Sequence, residues 1–232
     1  MDAFEHLVSE ILWSKGYWVR TSFKVELSKE EKRAIGRHSS PRWELDVVAY
    51  SGRLNVIQVV ECKSYLDSPG VVFSAFEGKN AKQASRYKLF NEPELRKVVF
   101  DRLVQQLVEC GACPPTPSVR LALACGRIKT DRDRHALRAH FSVQDWDLWD
   151  ESWLRSELRL MAGRGYENEV SAVVAKLLLR GQTDISRAPD SGKTEPHLFS
   201  PSDYPNPLKS TLVSPTAPLG AEATQRMQLT VG

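Results

Sequence analysis

The stretch "WELDVVAYSGRLNVIQVVECKSY", residues 43–65, decides how the chain is read. Two runs rich in β-branched residues flank "SGRLN" (51–55), a pattern that predicts two strands joined by a short connection. Three charges interrupt them: Asp46, Glu61 and Lys63. Ionised side chains are seldom fully buried without partners, and an unpaired one there costs several kcal/mol. Side chains alternate between the faces of a strand, so Glu61 and Lys63 share a face. If the connection is centred between Arg53 and Leu54, Asp46 lies opposite Glu61, with Cβ atoms about 4.5–5.5 Å apart. Two carboxylates that close repel each other unless a cation lies between them. A hard divalent cation with oxygen ligands is the usual solution. A lysine one step along can orient a metal-bound water or stabilise charge developing on a phosphate. The assembly suits hydrolysis of a phosphodiester. Glu44 shares the face of Asp46 in a regular strand and is a reserve carboxylate.

The flanking sequence places this hairpin in a mixed α/β pattern. Phe4, Leu7, Val8, Ile11 and Leu12 recur at helical period, and Gly16 supplies a stop. Residues 17–27 are expected to be extended and 28–42 to form a polar loop or short helix. Helices are expected over 75–91, 93–110, 131–141, 151–163 and 167–180, with a short apolar strand at 118–126.

An aspartate on one strand, Glu-x-Lys on the next and a glutamate early in a preceding helix together resemble the PD-(D/E)XK nuclease superfamily. The pieces are Glu5, Asp46 and "Glu61-Cys62-Lys63". The opening "FEHLVSEILWSKGYWV" looks especially like Mrr-type restriction endonucleases and archaeal Holliday-junction resolvases. The likeness spans roughly residues 4–90. Two departures stand out: Glu-x-Lys replaces the Gln-x-Lys frequent in Mrr-type proteins, and Leu45 stands where a proline often precedes the aspartate. The resemblance implies a restriction-endonuclease-like fold with a central mixed sheet flanked by helices. It implies a catalytic set of Glu5, Asp46, Glu61 and Lys63. Mg²⁺ would be held by Asp46, Glu61 and the backbone carbonyl of Cys62, with Mn²⁺ as a substitute. It further implies endonuclease activity on DNA in prokaryotic restriction or anti-phage defence. Two alternatives remain: a nuclease acting on RNA or on single-stranded or branched DNA, and a non-catalytic module of nuclease fold that binds nucleic acid or protein. "AKQASRYK" resembles the Gln-x-x-x-Tyr motif of RecB-type nucleases through Gln83 and Tyr87. On a helix there, Lys79, Lys82, Gln83 and Arg86 make one basic stripe able to meet a phosphate backbone.

Composition sets the frame. The chain has 232 residues, 41% hydrophobic and 26% charged, with net charge +3, an ordinary globular profile that permits a polyanionic partner without demanding one. Seven of the thirteen prolines fall in residues 183–232, which carry four Lys/Arg and five Asp/Glu. These fifty residues are expected to form a disordered Pro/Ser-rich tail, a possible site for a protein partner, after a nuclease-like domain at 1–182. No apolar run reaches 18 residues, so no membrane span is expected. With no basic-then-apolar leader and four scattered cysteines, a reducing cytoplasm is the expected setting. Cutting both strands of a duplex would favour a homodimer. Cys110, Cys113, His135 and His140 can be written as a zinc pattern, but their spacing exceeds that of a finger, and no structural zinc is expected. Trp146, Trp149 and Trp153 are expected to pack in the core, and Asp150 to cap the helix from 151.

Overall fold

The computed structural model describes residues 2–38, 42–78, 81–165 and 168–180. The chain divides into two units, Met1–Arg187 and Ala188–Gly232. All described residues belong to the first, so the expected tail lies outside them. The order is α1 (Ala3–Ser14), β1 (Trp18–Val25), α2 (Lys29–Ala34), β2 (Trp43–Ser51), β3 (Val56–Lys63), α3 (Ala81–Ala84), α4 (Lys88–Asn91), α5 (Pro93–Glu109), β4 (Ser118–Cys125), α6 (Asp131–Val143), β5 (Asp147–Trp149), α7 (Glu151–Gly163) and α8 (Val170–Leu179). The fold is α/β, with helices against a mixed five-stranded sheet of order β1-β2-β3-β4-β5. The first three strands form an antiparallel meander, and β4 and β5 add in parallel.

Strand alternation sorts the apolar residues into two cores. Val48, Ile57, Val59, Leu121 and Leu123 project to one face, where Leu95, Val99 and Leu103 of α5 and Leu137 and Phe141 of α6 cover them. Val47, Ala49, Val60, Ala122 and Ala124 project to the other, against Phe4, Val8, Ile11 and Leu12 of α1 and Leu154 and Met161 of α7. Each Val, Leu or Ile fully withdrawn from water contributes about 1.5–3 kcal/mol, so both faces anchor the central strands. Most hairpin charges lie at the strand ends, where this covering stops.

The expected helix over 75–91 is corrected. A 3₁₀ turn at Phe73–Ala75 is followed by two short helices, α3 and α4. Gly78 lies at φ 71, a left-handed value that stops a helix. Tyr87, between α3 and α4, has non-helical angles of −128 and 49, and its ring packs on Phe76 at 4.6 Å. The Asn91 amide donates to the carbonyls of Ala75 and Ala84, satisfying groups that a continuous helix would have used internally. Strand β5, in the stretch of alternating Asp and Trp, was not expected. Trp149 stacks on Trp153 at 4.7 Å, and Asp150 caps α7 by accepting from the Ser152 and Trp153 amides.

Candidate active site

The β2–β3 register matches the one expected from the sequence. Val47 pairs with Val60, and the pairs run to Ser51 with Val56, all centred between Arg53 and Leu54. This brings Asp46 to the Glu61 end of β3. The β1–β2 pairs run from Trp18–Tyr50 to Thr21–Val47 and resume at Phe23–Leu45, skipping Ser22 and Asp46. Ser22 has φ 49. Both strands change face there. Leu45 and Val25 join one core while Val47 joins the other, although odd positions of a regular strand share a face. The carboxylate of Asp46 turns to the ladder's end and accepts the Cys62 N–H at 2.7 Å. The same reversal leaves Glu44 exposed opposite Lys24, away from the proposed set.

Glu61 and Lys63 share a face of β3, and Lys63 Nζ donates to Glu61 Oε1 at 2.6 Å while lying 4.0 Å from Asp46 Oδ2. Burial raises the Glu61 carboxyl above its ordinary range. Asp46 and Glu5 push the same way, and Lys63 pulls against them without prevailing. Burial alone would lower Lys63, but the Glu61 carboxylate at contact distance, with Asp46 behind it, raises it instead. Lys63 is therefore a fixed ammonium, able to stabilise negative charge and unsuited to accept a proton. The Cys62 thiol points into the opposite core. Burial, with three acids nearby, pushes it far up, so at this position the backbone is the group with chemistry to offer.

Glu5 has two connections. In a capping box, Asp2 accepts from the Phe4 and Glu5 amides and Glu5 accepts from the Asp2 N–H at 3.3 Å. Its carboxyl is also raised, by burial first and then by Asp46. The helix start thus carries an acid into the field of Asp46 and Glu61. Glu5 of α1 and Glu61 of β3 are thus both raised with Asp46 of β2 as a common neighbour, and Lys63 is held by Glu61 and near Asp46.

The oxygens of Asp46 and Glu61, with the Cys62 carbonyl, are hard donors of the kind that suits Mg²⁺ or Mn²⁺, and their mutual repulsion is what a cation relieves. Among the described residues no cluster of three or more His, Cys, Asp or Glu side chains is gathered for a metal. In the conformation described, Glu61 lies on Lys63, so the donor set consists of two carboxylates and a backbone carbonyl.

The expected nucleic-acid residues separate. Lys79 lies outside the described residues. Lys82 and Arg86 are exposed, but Arg86 falls beyond the four-residue α3, so they do not form one helical stripe. Gln83 accepts from the Ser74 hydroxyl at 3.3 Å. Tyr87 is 3% exposed, part of the core beside α5, and donates its hydroxyl to that of Tyr65 at 3.4 Å. Tyr65, not singled out from the sequence, joins these parts. It follows the Glu-x-Lys strand by two residues, sits at φ 44, and hydrogen-bonds the Arg86 side chain. Tyrosine rarely adopts a positive φ, so this placement leaves no sequence signal.

Gly126 is a second residue the sequence reading passed over. A Cβ there would stand 2.2 Å from the Ser64 carbonyl oxygen, and its N–H donates to the Lys63 carbonyl at 3.1 Å. The chain leaving β3 is thereby pressed against the end of β4, which fixes the backbone that carries Lys63. No family model, curated protein or solved structure matches the chain.

Proposed function

We propose that the chain is a metal-dependent nuclease that hydrolyses phosphodiester bonds, with DNA as the favoured substrate. One observation carries the reading. Glu5 and Glu61 are both raised by burial and by the negative charge of Asp46, and Lys63 lies 2.6 Å from Glu61 and 4.0 Å from Asp46, a crowding of acids that a cation relieves and that a structural role does not require. The order helix, three-stranded meander, helix, parallel strand agrees with a restriction-endonuclease-like fold, which the motif resemblance implies.

Asp46, Glu61 and the Cys62 carbonyl would hold Mg²⁺, with Mn²⁺ as a substitute. The cation supplies charge neutralisation at the phosphate and a more acidic bound water. The chain's own groups do the rest. The Lys63 ammonium stabilises charge developing on the phosphate oxygens. The Asp46 hydrogen bond to Cys62 N–H fixes its carboxylate against the strand it serves. Glu5 adds negative potential from the helix start and supports the cation indirectly. Lys82 and Arg86, exposed on the segment after the hairpin, would meet phosphates, with Arg86 hydrogen-bonded to Tyr65. A role in restriction or anti-phage defence rests on the Mrr-like motifs.

The test is a cleavage assay on plasmid, linear and single-stranded DNA, and on RNA, with Mg²⁺, Mn²⁺ or EDTA. Cleavage of DNA that EDTA abolishes is expected. Binding without cleavage under every metal condition would return the hairpin to the non-catalytic alternative, in which the Glu61–Lys63 pair is an ordinary ion pair. Preferential cleavage of RNA or of unpaired strands would shift the substrate and keep the chemistry.

A further inference from the structure

Helix α8 is apolar on two sides. Ala172 and Ala175 are buried, whereas Val170, Val173, Val174, Leu177 and Leu178 are 44–79% exposed. Single exposed apolar residues are ordinary, but a contiguous band of them marks an interaction surface. The band has two parts. Val170, Val174 and Leu178 line one wall of an apolar groove of about 790 Å³, whose other walls include Leu7 of α1 and Leu158 of α7. Val173 and Leu177 stand beside the groove as a ridge. Both rows have the i, i+4 spacing of a helix surface, so ridge and groove on the same helix match in pitch.

A surface that carries both halves of a contact side by side complements a rotated copy of itself. With a two-fold axis at Val174 and the helices antiparallel, each Val173–Leu177 ridge enters the other copy's groove, and Val170 meets Leu178 of the partner subunit. Charge agrees with this direction. Glu169 stands at the start of α8 and Arg180 just past its end, so an antiparallel crossing sets acid beside base at both ends, whereas a parallel one stacks like on like. His6, Glu10, Arg155 and Arg159 line the groove with polar groups, giving the apolar centre and polar rim of a protein interface. We propose that α8 and its groove form a two-fold interface between two copies of this chain. The proposal stands apart from the nuclease reading, since none of these residues belongs to the hairpin site.

Sedimentation of the full chain over a range of concentrations tests it. A reversible monomer–dimer equilibrium is expected. Leu177→Glu should weaken it about 30-fold or more, the loss of one anchor residue, with far-UV circular dichroism unchanged, and Tm unchanged at concentrations where both proteins are monomeric, because Leu177 is 79% exposed. Glu169→Arg should weaken it less, and adding Arg180→Glu should restore it. A full chain that stays monomeric at every concentration, as when its own residues 181–232 cover the groove, overturns the proposal. So does a dimer indifferent to Leu177→Glu, and so does a charge exchange that fails to restore association.

Discussion

Asp150 and Glu61 are both acids set among apolar neighbours, and the fold treats them in opposite ways. Asp150 is 2% exposed. It accepts from the Ser152 hydroxyl at 2.5 Å, from the Ser152 and Trp153 amides, and from Arg134 and Arg138 at 2.9 and 2.7 Å. Burial works against its charge, but these donors prevail and hold the carboxyl down at about 2. Glu61 has one lysine and two neighbouring acids, and its carboxyl is raised. The donors around Asp150 favour its ionised form, whereas burial and the neighbouring acids disfavour the ionised form of Glu61. The chain surrounds one acid with donors at the start of α7 and crowds acids together near Lys63, and on the proposed function that difference separates a structural charge from one kept for a ligand.

The largest expected effect lies on the satisfied side. Asp150→Ala removes the α7 cap and leaves Arg134 and Arg138 without their shared acceptor. Breaking such a buried pair costs about 3–5 kcal/mol, to be read from urea unfolding. Activity per folded molecule should be unchanged. If Asp150→Ala is neutral for stability, the contrast between the clusters collapses.

Next comes the unsatisfied side. Lys63→Ala should lower cleavage by about 10²–10³ while the protein stays folded. Asp46→Asn should lower it at least as far, and yet leave stability unchanged or raised, because an asparagine oxygen can still accept the Cys62 N–H while the repulsion of Glu61 and Glu5 is relieved. Asp46→Ala sharpens the comparison by also stranding that N–H, at about 1–3 kcal/mol. Near wild-type cleavage by a folded Lys63→Ala variant would end the nuclease reading.

The two clusters also oppose each other in pH dependence. For Glu61 and Glu5, whose folded carboxyls are raised, the native state binds protons more tightly than the unfolded chain. Their destabilisation is present above the raised range and is relieved as pH falls through it. For Asp150 the sign is reversed. Its contribution is present above the unfolded value of about 3.9 and is lost as pH falls through about 2. Metal-free stability should therefore rise on mild acidification and fall steeply in strong acid. Asp46→Asn should flatten the first phase and Asp150→Asn the second. Unfolding free energies across this pH range provide the check.

The smallest effect concerns phosphate contacts. Changing Lys82 and Arg86 to Ala should reduce the salt slope of log K for duplex DNA by up to about 0.9 per lost contact. Tyr65→Phe, which releases Arg86 and also removes the acceptor of the Tyr87 hydroxyl, should lower the slope less. A slope untouched by the double change returns both residues to an ordinary solvated surface.

What was readable in the sequence follows from which interactions are local. The hairpin register was set by alternation and by where the connection is centred, and Asp46 could be placed near Glu61 from those alone. The capping box at Asp2 and Glu5 and the cap at Asp150 are also local patterns. The face reversal at Ser22 and Asp46 was not readable, because it takes two strands bending together at one level. Nor was the break of the 75–91 helix. Its residues keep helical spacing, but the burial of Tyr87 against Phe76 and Tyr65 outweighs that preference. Strand β5 is three residues long and owes its pairing wholly to β4. The function of the hairpin charges was proposed from motif order, and the geometry adds their electrostatic conflict.

The close approach of Gly126 to Ser64 bears on when the site comes into being. Glu5, Asp46, Glu61 and Lys63 all lie in the first 63 residues, and the β2–β3 hairpin that carries three of them closes through the short connection 52–55, a step of microseconds. The last strand pair that steadies Lys63, with Cys125, and the contact behind it between Ser64 and Gly126 each join residues 62 positions apart. On the ribosome, synthesis at about 5–20 residues per second leaves an interval of several seconds in which every proposed catalytic side chain has been made and the strand beside Lys63 has not. The nascent chain should pass through that interval inert, and acquire its chemistry when β4 docks.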